Sequence, residues 1–399
     1  MLPASRRSWS PAPPSPASRV PPHLAGLSLL ALLLILPALA LSSAGAVAAQ
    51  GASRSAPVAD MARLDIAREL AFLARAQNTD GGFGGAPGQT SSELYTGWVA
   101  MGLAAAGHDP LSLSRGGRTI LAALRSEGAS VRGTGDLERT ILALRACGVS
   151  VRSFPGGDPV ARLLRTRAHD GSFGHLANLT AFGVFALRAA GYSSASAPVR
   201  AAGRWLARQQ ETDGGFGFAT KGAGSDVDDT AAVLQAVLDA GIHGVILTRA
   251  VGYLTRAQSL DGGYPQMLGG LSNAQSTAWA VQALSAAGRD PDRVKRKGSR
   301  SPVAYIESLI APDGSVRYSR TGSQTPVWVT AQALTALARR SFPIAPIHAH
   351  RAAHAAVPTS GPPTTRPSGD RAVAVARAVS ALVGALHASA QGLALSATL

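Results

Sequence analysis

A chain of 399 residues, 46% apolar and only 15% charged, has material for a large buried core. Its net charge of +15 comes from arginine scattered through alanine- and leucine-rich stretches, with lysine only at Lys221, Lys295 and Lys297; this excludes the clustered basic stripe of a nucleic-acid binder. The single cysteine, Cys147, excludes an intrachain disulfide and a cysteine-based zinc site.

In chain order, residues 1–49 come first. An apolar run over 24–41 follows Arg6, Arg7 and Arg19, and two small-x-small patterns, Ala44-Gly45-Ala46 and Ala46-Val47-Ala48, close it. That three-part layout predicts a secretory signal peptide and hence a secreted or cell-surface protein, with an uncleaved membrane anchor as the alternative.

Residues 60–340 are built on a repeat. Gln-Asn-Thr-Asp-Gly-Gly-Phe at 77–83 returns as Gln-Glu-Thr-Asp-Gly-Gly-Phe at 210–216 and Gln-Ser-Leu-Asp-Gly-Gly-Tyr at 258–264, with weaker copies at 168–173 and 312–316. Each unit reads as a first helix with an aromatic-aliphatic pair (Phe72-Leu73, Trp205-Leu206, Tyr253-Leu254, Tyr305-Ile306), the loop, then a second helix. Thr96, Thr180, Thr230 and Thr277 each stand eleven residues before a glycine (Gly107, Gly191, Gly241, Gly288), which sets the second helices in one register. Those helices are apolar nearly all round and so buried on all sides, whereas the first helices carry more arginine and face outward. The loop aspartates Asp80, Asp170, Asp213, Asp261 and Asp313 leave one double-length gap, filled by a degenerate unit with helices over 120–124 and 137–148. The expected fold is all-α: an (α/α)6 toroid of six helical hairpins, an inner barrel within an outer one. An open solenoid fits less well, because its concave face is wet.

One loop carries more than the others. Asp226, Asp228 and Asp229, in Asp-Val-Asp-Asp-Thr, form the only dense acidic cluster. Like charges so close cannot all ionise, so one carboxyl is held protonated and can serve as an acid. The alternative is capping: Ser225 or Asp226 as N-cap with acidic residues in the first turn, as Ser92, Asn273 and Ser323 occupy equivalent slots, and the helix dipole then lowers these pKa values. Trp98, Phe182 and Trp279 lie two residues after their threonines, with Trp328 close to that level. This aromatic tier suits a cationic intermediate or a planar ligand; core packing is the alternative. Farther on, Arg293, Lys295, Arg296, Lys297 and Arg300 form a solvated loop or a contact for an anionic surface.

Residues 341–370, rich in Pro, Ala and Thr, read as a linker, and His348, His350 and His354 within it have no fixed second shell to make a metal site. Residues 371–399 are apolar and alanine-rich; peripheral membrane contact stays open for them.

The pattern aromatic-Leu-x-x-x-Gln…Gly-x-aromatic, at Phe72, Leu73, Gln77, Gly81 and Phe83 and in two further copies, resembles the prenyltransferase/squalene oxidase repeat superfamily. Asp226-Val227-Asp228-Asp229-Thr230 resembles the Asp-x-Asp-Asp motif of class II terpene cyclases such as squalene–hopene cyclase. The resemblance implies that Asp228 protonates a double bond or epoxide, supported by Asp226 and Asp229. Cys147 lacks the Asp-x-Cys context of protein prenyltransferase zinc ligands, and the Cys-Gly-Glu-Gln element of thioester domains is absent. Two functions follow as expectations. One is an exported cyclase-like enzyme acting on a terpenoid or polyprenyl substrate, with no cofactor and no metal. The other is a non-catalytic secreted binding protein for a hydrophobic or corrinoid-like ligand or a surface partner.

Overall fold

The computed structural model describes residues 56–347, with side chains from 66 onward. The expected signal peptide, the three linker histidines and the apolar segment 371–399 lie outside the described residues.

Twelve α-helices alternate between two layers among these residues. The outer layer is α1 (Ala56–Ala76), α3 (Ile120–Ser126), α5 (Pro159–Thr166), α7 (Ala197–Ala207), α9 (Val245–Ala257) and α11 (Pro302–Glu307). The inner layer is α2 (Glu93–Ala105), α4 (Thr134–Ala146), α6 (Ala177–Ala189), α8 (Val227–Asp239), α10 (Ala274–Ala286) and α12 (Pro326–Leu337). Each inner helix packs on the next, and α12 packs back on α2, so the inner barrel is closed. Each outer helix leans on the inner helix of the preceding hairpin, and α1 leans on α12, closing the ring a second time. The toroid of six hairpins is therefore the observed fold, degenerate second unit included.

The repeated loop is held by repeated hydrogen bonds. The backbone N–H of Phe83, Phe173, Phe216, Tyr264 and Val316 donates to the hydroxyl of Thr96, Thr180, Thr230, Thr277 and Thr330, at 2.8 to 3.0 Å. Each bond ties the loop's wedge residue to the start of its own inner helix. The wedges are fully buried, and one such aromatic contributes about 1.5–3 kcal/mol of burial. The loop aspartates accept from the N–H two residues on, as Asp80, Asp213 and Asp261 do from Gly82, Gly215 and Gly263. Gln77, Gln210 and Gln258 donate to the carbonyl four residues on. Gly214 shows why the loop needs glycine: its φ is 93°, and a Cβ there lies 2.7 Å from the Arg249 carbonyl oxygen.

Hydrogen bonds also run between units. The N–H groups of Asn178, Val227, Ala274 and Val327, in the first turns of inner helices, donate to the carbonyls of Phe218, Gln266, Tyr318 and Gly85 in loops of following units. Helix starts that lack intrahelical partners are thereby satisfied around one mouth of the ring, and the Val327–Gly85 bond joins the last unit to the first.

Two expectations change. The sixth inner helix is preceded not by Ser323 but by Thr325, in the left-handed region at φ 43° and without a side-chain cap bond, because Pro326 starts the helix. Residues 341–347, expected to begin a linker, fold back into the ring: Phe342 and Ile344 are each 3% exposed. Two apolar side chains in a proline- and alanine-rich stretch anchor it there, while Ala345 stays exposed.

Candidate active site in the ring mouth

All inner helices begin at the same mouth, and the loop-binding threonines set their common register. Two residues before the threonine stand Leu94, Asn178, Asp228, Gln275 and Trp328; two residues after it stand Trp98, Phe182, Ala232, Trp279 and Gln332. The levels are separated by four residues, a drop of about 6 Å at 1.5 Å per residue. Trp328 thus belongs one turn above the tier that its position near Trp98 suggests, at the level of Asp228. The lower tier converges. Trp98 and Phe182 have ring centroids 6.4 Å apart, Trp98 and Trp279 6.1 Å, and Phe182 and Trp279 5.8 Å, all close to edge-to-face. Trp328 meets Trp98 at 6.1 Å from above, and Tyr95 meets Trp328 at 6.1 Å. Ala232 and Gln332 carry no ring at this level, so beneath Asp228 stands a methyl group.

The three aspartates play separate parts. Asp226 is the N-cap of α8 and accepts from the Asp229 N–H at 2.8 Å. Capping therefore accounts for Asp226, but for neither of the other two. Asp229, 5% exposed, also receives the amide of Asn178 at 2.6 Å. Burial and the neighbouring Asp226 charge push its carboxyl up, and the Asp226 carboxyl also rises, chiefly through burial. Asp228 is partly buried, and its Oδ1 lies out of solvent with no hydrogen-bond partner. Burial, first, and then the Asp226 charge push it up to about 6, against a hydrogen bond from Ser276. Ser276 is itself oriented by the amide of Asn273, the N-cap of α10, at 3.0 Å. The helix dipole was expected to lower these values. Desolvation outweighs it, because the cluster sits inside a ring mouth rather than on a solvated helix end.

A second polar group faces the mouth from α2 and α4. The Arg139 guanidinium donates to the Glu93 carboxylate through Nε at 2.8 Å and through Nη2 at 2.5 Å, and to Asp136 at 2.9 Å. Arg139 is the sixth residue of its helix, as Trp98 is of α2. Glu93 is 6% exposed, and burial raises its carboxyl although Arg139 opposes the shift. Among the described residues, no three His, Cys, Asp or Glu side chains are grouped to hold a metal ion.

The structure brings Asp226, Asp228 and Asp229 to one helix start, with Trp98, Phe182 and Trp279 one turn deeper. It adds residues that sequence reasoning missed. Asn178 and Ser276 were findable from the threonine register, being two and one residues before Thr180 and Thr277. Phe342, whose ring centroid lies 5.5 Å from that of Trp279 and 5.9 Å from that of Trp98, carried no such signal.

The prenyltransferase alpha-alpha toroid domain family matches residues 40–115, 119–305 and 251–337. A drimenyl diphosphate synthase from Streptomyces showdoensis is 34% identical over 207 residues, 50% of this chain and 38% of the relative. A second, from Streptantibioticus cattleyicolor, is 31% identical over 212 residues, 48% of this chain and 40% of the relative. The chain thus matches well under half the length of these relatives. Among solved structures, the type II terpene cyclase MstE from Scytonema superposes with a TM-score of 0.52 at 14% identity, over 70% of this chain and 98% of that one. A glycosidase superposes with a TM-score of 0.50 at 14% identity, over 71% and 98%. Identities this low show the fold alone.

Proposed function

The chain belongs to the prenyltransferase alpha-alpha toroid domain family, and within it we propose that this protein is a class II terpene cyclase, closing a ring in a terpenoid or polyprenyl substrate by protonation from Asp228. The observation that carries this reading is the Asp228 carboxyl: its Oδ1 is buried without a partner, and it is raised to about 6 one turn above a tier of aromatic rings. A capping residue needs neither feature. The sequence likeness to drimenyl diphosphate synthases supports the same chemistry.

In the proposed step, an alkene of the substrate lies between Asp228 and the tier, in the space above Ala232. The Asp228 O–H bond breaks and a C–H bond forms at one alkene carbon, while the π pair is used and a cation appears at the more substituted carbon. A second alkene of the same chain attacks that carbon, closing the ring with a new C–C bond. The final cation loses a C–H proton to water and Asp228 regains its proton from solvent, so the substrate is isomerised and no co-reactant is consumed. Asp226 accepts a hydrogen bond and keeps negative charge near the acid. Asn178 and Ser276 hold the neighbouring carboxyls in place, and the faces of Trp98, Phe182 and Trp279 stabilise positive charge.

Incubation of the full chain with farnesyl diphosphate, geranylgeranyl diphosphate and squalene, followed by mass spectrometry of the extract, tests the reading. A cyclised product that disappears with Asp228→Asn is expected. No product from any of the three, with the same substrates bound equally by the variant, leaves the non-catalytic binding protein as the better account. The exported location also stands as a proposal, resting on the layout of residues 1–49.

A further inference from the structure

A segment that belongs to no repeat closes the lumen below the tier. Past α12, Arg339 turns the backbone at φ 51° and pairs with Asp290 at 3.0 Å and Asp292 at 2.5 Å. The Arg340 carbonyl then accepts from the Gln282 amide at 2.8 Å, and the Phe342 N–H donates to the Gln235 side-chain oxygen at 3.1 Å. Gln235 and Gln282 are the ninth residues of α8 and α10 and are 1% and 2% exposed. A buried glutamine in an alanine-rich inner helix requires partners, and here the strap's backbone supplies them. Between these anchors the Phe342 ring stacks on Phe185, with centroids 5.6 Å apart and planes at 29°. It also lies 5.5 Å from Trp279, 5.9 Å from Trp98 and 6.4 Å from Phe182. All three converging rings of the tier are therefore backed by one side chain.

We propose that Phe342 is the specificity-determining floor of the site: by backing the aromatic tier, it limits how far a prenyl chain descends past Asp228 and so selects which double bond meets the acid. The inference rests on the cyclase reading of the mouth for its chemistry, though not for its geometry. Ala232 sets a methyl group rather than a ring directly beneath Asp228, so a chain end that enters on this side comes to rest on Trp98, Phe182 and Trp279. Those rings cannot tilt downward while Phe342 fills the space behind them, since interiors packed to this density do not yield without a void. The tier lies about 6 Å along the helix axis below Asp228, about the length of one isoprene unit, so a chain whose end rests on the tier presents its terminal double bond to the acid. Without the Phe342 ring, the tier gains room to tilt and the chain slides inward. Asp228 then delivers its proton to the next double bond along, with the same balance of one proton gained and one lost.

The test compares the full-length protein with Phe342→Ala and with Gln235→Leu, which loosens the strap while keeping its ring. Geranylgeranyl diphosphate and squalene are turned over in deuterium oxide and the labelled carbon is located by NMR. Wild type is expected to place deuterium on the terminal isoprene unit, and Phe342→Ala on the next one; Gln235→Leu gives a mixture. A label that stays terminal in both folded variants overturns the floor. In parallel, lumen tryptophan fluorescence is titrated with farnesol and geranylgeraniol. The ratio of the two Kd values should move roughly fivefold or more toward the longer alcohol in Phe342→Ala. Where wild type makes no product, the cyclase reading fails, and this titration alone decides the floor: a shifted ratio supports it and an unchanged ratio overturns it. Should Phe342→Ala fail to fold, the same two outcomes are read from Gln235→Leu.

Discussion

Asp228 and Asp229 carry their carboxyls into a place where ionisation is costly, and this has a consequence for stability that needs no substrate. Asp228 rises from 3.8 to about 6, so the folded state holds its proton more tightly than the unfolded chain. A raised folded pKa contributes stability that is complete below about 3.8 and is lost as pH climbs through about 6. The melting temperature should therefore fall between pH 4 and pH 7, and Asp228→Asn should flatten that slope and melt higher than wild type at pH 7. A steeper slope in the variant contradicts the assignment. Activity should decline over the same window, since only the protonated acid can act. For the acids, the sequence made the cluster legible but not the direction of its pKa values. The dipole of one helix can be read locally, whereas desolvation depends on six helices meeting at one mouth. Asn178 and Ser276 become partners of the aspartates only through that meeting.

The loop and the strap differ as elements in how much of them the sequence displays. The Gln-x-x-Asp-Gly-Gly-aromatic copies recur at a fixed spacing, because each must place an aromatic N–H against a threonine and a glycine against a neighbour's backbone. Thr230→Val removes the partner of the Phe216 N–H, bonded at 2.8 Å in the core. It should cost about 1–3 kcal/mol in chemical denaturation, the range for orphaning a buried donor. Gly214→Ala meets both a positive φ and the Arg249 carbonyl oxygen, and should cost at least 1 kcal/mol or so. The strap shows no such periodicity. It is used once, its composition matches a linker, and only the buried Gln235 and Gln282 hint that something must enter the lumen. Phe342→Ala should cost about 3–5 kcal/mol, as large-to-small changes in a packed aromatic core do. A loss below 1 kcal/mol contradicts the role assigned to this ring.

At the largest scale, the ring formed by residues 56–347 is a cup. Six parallel inner helices point their starts at one mouth, where the acids lie, and the strap closes the space beneath the tier. Phe218, Met267, Leu268 and Leu271 stand exposed in the loops that follow the wedge aromatics Phe216 and Tyr264, next to the start of α8. A prenyl chain that enters tail first keeps its remaining length among these apolar side chains. Residues 1–49 predict export, and the mass of the protein recovered from the medium of the native host should correspond to cleavage after Ala46 or Ala48; recovery only of the full-length mass in the cell contradicts that expectation. The ring itself was legible from the repeat. The depth of the cup was not, because depth is set by a segment outside the repeat.

The central claim is that Asp228 gives its proton to carbon. Turnover in deuterium oxide followed by mass spectrometry of the cyclised product measures this most directly. The account predicts that wild type yields a ring product heavier by one deuteron and that Asp228→Asn, folded and still binding substrate, yields none. An unlabelled cyclised product, or equal labelled product from Asp228→Asn, contradicts it.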